Sequence, residues 1–109
     1  MGKPDNSTIP CVEAEISAQD QWTDWISCHP GGRLLGLAEF SGGGTVTLQW
    51  RGYKLDNDTA IGPIDIDSQT ADFAKQYDMI AGEYRIGVKT GDYSAAVYVS
   101  LRTEIRGPG

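Results

Sequence analysis

Apolar residues recur at every second position in short runs, and a cluster of turn-forming residues ends each run after roughly ten residues. Residues 45–51 show this most cleanly. Val46, Leu48 and Trp50 fall on one side, and Thr45, Thr47, Gln49 and Arg51 on the other. A period of two, rich in β-branched residues, specifies a half-buried strand. Residues 83–89 repeat the pattern, with Tyr84, Ile86 and Val88 inward and Glu83, Arg85 and Lys89 outward. Val97, Val99 and Leu101 form a third inner side, with Tyr98, Ser100 and Arg102 opposite. Shorter segments follow the same rule: Ile64 and Ile66 alternate with Asp65 and Asp67, Leu35 and Leu37 lead toward Phe40, and residues 21–27 make a further strand.

The turns are Pro30-Gly31-Gly32, Gly42-Gly43-Gly44, Asp56-Asn57-Asp58, Gly62-Pro63 and Gly91-Asp92. This rhythm predicts an all-β fold, an antiparallel β-sandwich of immunoglobulin-like or jelly-roll-like type with about six to eight short strands. A length of 109 residues suits one such domain. Its core is expected at Val46, Leu48, Trp50, Tyr84, Ile86, Val88, Val97, Val99 and Leu101. Residues 1–16, rich in loop formers such as Pro4, Asp5, Asn6 and Pro10, read as an N-terminal arm. The sandwich then spans 17–106, and 107–109 is a tail. The last two strands, separated by little more than residues 90–94, are expected to pair as a hairpin, and Gly87 to mark a bulge. Two segments fit more than one reading. Residues 17–25 suit a strand, or a helix capped by Ser17 with Trp22 and Trp25 on one face. Residues 70–77 suit a strand, a loop, or one or two helical turns joining Phe73 to Tyr77.

A net charge of −6 disfavours nucleic acid and anionic membranes as partners, since both need a basic face. No run approaches the roughly 18 apolar residues of a membrane span. Residues 1–10 lack the apolar run of a secretory signal, so synthesis and folding in a cytoplasm are expected. That compartment predicts free thiols at Cys11 and Cys28. With His29, the only histidine, they fall one ligand short of a structural zinc site. Neither a Gly-x-Ser-x-Gly elbow nor a phosphate-binding loop is present, so nucleophilic hydrolysis and nucleotide chemistry are not expected. Asp56 and Asp58, with Asp65 and Asp67 on one face of their strand, offer oxygens to calcium but lack the Gly and distal Glu of an EF-hand. Asn6 and Asn57 begin glycosylation patterns that have no meaning without secretion. The expectation is therefore a non-enzymatic protein with no cofactor and no metal.

The aromatic residues carry more information. As strand residues three apart, Trp22 and Trp25 point to opposite faces, which leaves one of them outside the core. Tyr98 lies on the outer side of its strand, and Tyr53 and Tyr93 lie in or beside turns. Exposed aromatics mark protein interfaces and sugar platforms, so Trp22, Trp25, Tyr53, Tyr93 and Tyr98 are the interface candidates.

Residues 44–49 (Gly-Thr-Val-Thr-Leu-Gln), residues 83–88 (Glu-Tyr-Arg-Ile-Gly-Val), Gly91-Asp92-Tyr93-Ser94 and the alternating residues 96–102 form a series. Together with Asp24-Trp25-Ile26, it resembles the small β-sandwich virion proteins of tailed bacteriophages. The resemblance covers roughly residues 20–102. Trp50-Arg51-Gly52-Tyr53 and Ala95 stand where that family often has other residues. The resemblance implies a structural role without catalytic residues: a capsid decoration (cement) protein, or a head or tail appendage. It further implies the major capsid protein or other virion proteins as partners, a homo-oligomer such as a trimer, and location in the virion. The alternative is a carbohydrate-binding or host-attachment module built on the exposed aromatics.

Overall fold

The computed structural model describes residues 11–28, 32–78 and 80–104. It is all-β, with no helix among the described residues. The strands are β1 (Cys11–Ile16), β2 (Gln21–Trp22), β3 (Ile26–Cys28), β4 (Arg33–Phe40), β5 (Val46–Tyr53), β6 (Ala60–Gln69), β7 (Phe73–Asp78), β8 (Gly82–Val88) and β9 (Val97–Glu104). They form two antiparallel sheets: β1-β9-β4-β7, and β2-β8-β5-β6 with β3 also on β8. The sandwich expected from the alternation is therefore present.

With β2 and β3 counted as one interrupted strand, eight positions remain, and the pairs are first with eighth, second with seventh, third with sixth and fourth with fifth. This is one long antiparallel ribbon, folded at the β5–β6 hairpin and wrapped into two layers. It is the connectivity of a jelly roll, and so decides between the two sandwich types that the rhythm allowed.

The core lies between the layers. Val46, Leu48, Ile86 and Val88 from the second sheet meet Leu34, Ala38, Val97, Val99 and Leu101 from the first, all buried. Every expected core residue is buried except Trp50, which is half-buried, packs on the edge of the core and donates from Nε1 to the Ala81 carbonyl at 3.2 Å.

Several expectations are corrected. Nine strands exceed the expected six to eight, because residues 21–28 split in two and the arm contributes one. Of that arm, residues 1–10 lie outside the described residues, as does the tail 107–109. Cys11–Ile16 is instead a strand, in register with β9 from Cys11↔Arg102 to Ile16↔Val97. Val12, Ala14 and Ile16 add to the core, and that burial is what draws the segment onto the sheet.

The expected hairpin between the last two strands does not form. β8 belongs to the second sheet and β9 to the first. Both have an inward apolar side, and those sides are satisfied by facing each other across the core rather than lying edge to edge. Gly87 is not a bulge. Its register with Thr47 and Trp22 is regular, and a Cβ there would fall on the Gln21 carbonyl and within 2.7 Å of Trp22 Cα, so the close approach of β2 requires glycine. Residues 17–25 form no helix, and residues 73–78 are edge strand β7.

Asp65 and Asp67 do not share a face. Leu48 pairs with Asp67 and Gln49 with Asp65, so Ile66 is the extra residue of a bulge. Asp67 turns toward the first sheet, where Tyr77 Oη donates to its Oδ2 at 2.7 Å and Lys75 approaches at 3.3 Å. Burial pushes the Asp67 carboxyl up, but hydrogen bonds from Tyr77, Gln69 and Lys75 outweigh it and hold the group below its ordinary value. Burial and the same bond push the Tyr77 hydroxyl well up. The pair clasps β6 to β7 across the layers.

Val99→Asp tests the inner face. Val99 is fully buried. An unpaired carboxylate there costs about 3–5 kcal/mol, a large part of a small domain's stability. The expected result is loss of cooperative thermal unfolding by circular dichroism, and an unchanged melting temperature would overturn the placement of β9.

Candidate functional site

The outer face of the second sheet gathers two of the expected aromatics with cations that flank them. On β8 the outward residues are Glu83, Arg85 and Gly87, and on β5 they are Thr47, Gln49 and Arg51, paired row by row. The Arg85 guanidinium lies 4.1 Å from the Trp22 ring centre and 4.7 Å from that of Trp25. Arg51 lies 4.1 Å from the Trp25 ring. These distances are within reach of cation–π attraction.

Trp22 and Trp25 therefore share one face, whereas a continuous strand would separate them. The interruption between β2 and β3 is the cause. Thr23 replaces a regular ladder step: its N–H donates to the Ile86 carbonyl at 2.9 Å, and its hydroxyl accepts from the Ile86 N–H at 3.2 Å. That step shifts the phase of the chain. Trp22 pairs opposite outward Gly87, and Ile26 pairs opposite inward Tyr84, which leaves the preceding Trp25 outward.

A hydrogen-bonded lattice holds the cations. Arg85 Nε donates to Gln49 Oε1 at 2.9 Å, Gln49 Nε2 to Asp65 Oδ1 at 2.9 Å, and Lys89 Nζ to Asp65 Oδ2 at 2.7 Å. Arg51 Nε donates to Glu83 Oε1 at 2.8 Å. The lattice crosses three strands and explains why Gln49, an outward residue, is buried. Thr47 is fully buried as well, and its hydroxyl meets that of Ser68 at 3.1 Å. The hydrogen bonds from Lys89 and Gln49 hold the Asp65 carboxyl below its ordinary value. Burial lowers Arg85, with Asp20 opposing and Arg51 adding to the shift, yet a guanidinium stays charged at neutral pH.

Tyr53 continues this face at the β5–β6 hairpin, 64% exposed. It lines a groove of about 550 Å³ with Ser27, Arg51, Pro63 and Glu83. Arg51 thus touches both the Trp25 ring and the groove. The other two candidates lie elsewhere. Tyr93 is half-buried against the core, bridged to Gly44. Tyr98 lies on the outer face of the first sheet, donating to Glu13 Oε1 at 2.7 Å. The sequence reading missed Arg51, Arg85, Gln49 and Asp65. Their outward alternation was visible, but not which side chains would cover them.

Among the described residues, the other constellations bring nothing reactive together. Asp56 accepts from the Asp58 and Thr59 amides and the Thr59 hydroxyl at 2.8–2.9 Å, an Asx turn that holds its own carboxylate low. Among the described residues, no three His, Cys, Asp or Glu side chains cluster as metal ligands. Cys11 is an exposed free thiol, while His29 and the side chain of Cys28 lie outside the described residues. What the face offers is binding chemistry: fixed ring area and charged donors on a rigid sheet.

Arg85→Ala removes two ring contacts and the Gln49 bond. It should cost about 1–2 kcal/mol and shift tryptophan emission to the red as the rings lose their cover. Urea unfolding followed by fluorescence reads both quantities. Acid should weaken the same lattice at Asp65 and the Asp67–Tyr77 clasp on the other side of β6. Because the carboxyls of Asp65 and Asp67 are lowered in the folded chain, their contribution is full above the ordinary value of 3.8 and is lost as pH falls through the lowered values. In unfolding titrations between about pH 6 and about pH 3, Asp65→Asn should shrink that acid-side loss.

No protein-family model, no curated protein and no solved structure matches the chain.

Proposed function

We propose that this is a non-enzymatic virion structural protein of a tailed bacteriophage, which binds the head shell as a decoration protein and stabilises it. The observation that carries this reading is the face built by Trp22, Arg85, Trp25 and Arg51. Trp, Arg and Tyr are the residues that dominate protein–protein binding energy. Here Trp22, Trp25, Arg51 and Arg85 are already stacked, and both arginines are hydrogen-bonded, on a sheet, so little of their side-chain entropy is lost on docking. Tyr53 and its groove extend the face.

Two further features support the reading. Jelly rolls recur in viral capsid domains, an analogy at the level of fold alone. The charge of −6 keeps free subunits apart by self-repulsion until a lattice captures them. The expected partner is the major capsid protein or another virion protein. A homo-oligomer, with three-fold symmetry as the expected form, covers sheet edges. Synthesis occurs in the host cytoplasm, where virions assemble. A sugar-binding role finds less support, because both indole rings already carry a stacked guanidinium.

The test is incubation of the purified protein with phage shells that lack it, followed by sedimentation and shell melting. The expected result is saturable co-sedimentation and a higher shell melting temperature. Trp25→Ala should weaken binding by about tenfold or more, as a central interface aromatic does. Binding without added heat stability would make the protein a passive appendage. Absence of binding, with tryptophan quenching by added sugars, would overturn the reading in favour of glycan recognition.

A further inference from the structure

The outer face of the first sheet has the opposite character, and the proposed function makes no use of it. Tyr98 on β9 stands directly between Glu15 on β1 and Glu39 on β4, all three in one cross-strand row. Residues paired in this way point to the same side, so a carboxylate flanks the ring on each hand. The hydrogen bond from Tyr98 to Glu13 holds the ring in place, and it raises the hydroxyl's pKa together with burial. Two shallow grooves, of about 410 and 350 Å³, meet at Tyr98, Glu39 and Asp72. The floor of the first is apolar, with Leu37 and Phe73. Asp72 accepts from the Phe40 amide at 2.7 Å and adds another negative charge to the rim.

We infer that this groove is a docking site for a basic polypeptide segment, with a Lys or Arg side chain laid on the Tyr98 ring and its charge between Glu15 and Glu39.

Charge complementarity carries the argument. On the second sheet's face, Asp65 and Glu83 are each paired with a cation. Among the described residues, Glu13, Glu15, Glu39 and Asp72 are in no ion pair. A concave surface lined by one sign of charge concentrates the opposite sign. Glu15 and Glu39 are separated by one intervening strand, so their backbones stand about 10 Å apart with the Tyr98 ring between them. Both side chains are long enough to turn toward a cationic head laid on that ring. The apolar floor suits the methylene stem of Lys or Arg, which a small inorganic ion lacks.

This inference does not depend on the virion reading. Its test is fluorescence anisotropy of the full chain with a labelled peptide of alternating Lys and Ser, capped at both ends, at low salt. The expected result is saturable binding that fades with salt and vanishes when the lysines are acetylated. Binding should weaken about tenfold in the Glu15→Gln/Glu39→Gln double variant and disappear in Glu39→Lys. Both positions are exposed, so thermal melts of the variants should match the parent. Trp25→Ala should bind the peptide normally, which separates this site from the shell-binding face. Three outcomes overturn the proposal: no binding at millimolar peptide, equal binding by the double variant, or displacement by calcium or spermidine at concentrations equal to the peptide. The last would assign the face to small cations.

Discussion

The structure depends on burying one apolar side of each sheet against the other. Leu48, Ile86 and Val88 on one layer and Leu34, Val99 and Leu101 on the other are almost wholly removed from water. Each contributes about 1.5–3 kcal/mol relative to exposure. This burial fixes the phase of every strand that takes part. Once Ile86 is inward, Arg85 must be outward, and once Val97 and Val99 are inward, Tyr98 is outward too. The surfaces are therefore consequences of the core.

The two outer faces then diverge because their neighbours differ. On the second sheet, Arg85, Gln49, Asp65 and Lys89 satisfy one another across three strands, and two tryptophans lie over the cations. On that face Arg51 and Lys89 are ion-paired and Arg85 is held by Gln49. On the first sheet, Glu15 and Glu39 flank an aromatic ring and are in no ion pair among the described residues, with Arg102 farther along β9 on the same face.

The main strands were legible because their alternation is local. Val46, Leu48, Tyr84, Ile86 and Val99 announce a buried side without reference to any partner. Where the chain departs from regular pairing, legibility ends. The bulge at Ile66 sends Asp65 and Asp67 to opposite sides, and the Thr23 step brings Trp22 and Trp25 to the same side. Both events depend on what the neighbouring strand offers, and period counting assumes an unbroken strand. Residues 11–16 carry a visible alternation of Val12, Ala14 and Ile16 against Glu13 and Glu15, but the polar loop formers before them masked it.

By itself, the sequence determined the fold class, the phase of β5, β8 and β9 and most of the core, since these follow from side-chain periodicity and turn chemistry along the chain; in β4 the residues expected on the apolar side, Leu35 and Leu37, face outward and Leu34 and Ala38 are buried instead. The tertiary structure alone decided that β8 and β9 part into different layers, that the ribbon closes as a jelly roll, and that Trp22, Trp25, Arg51 and Arg85 meet. The reason is physical. Sheet membership and cross-strand neighbours are set by which apolar sides bury each other, a contest among segments far apart in the chain, to which local pattern is blind.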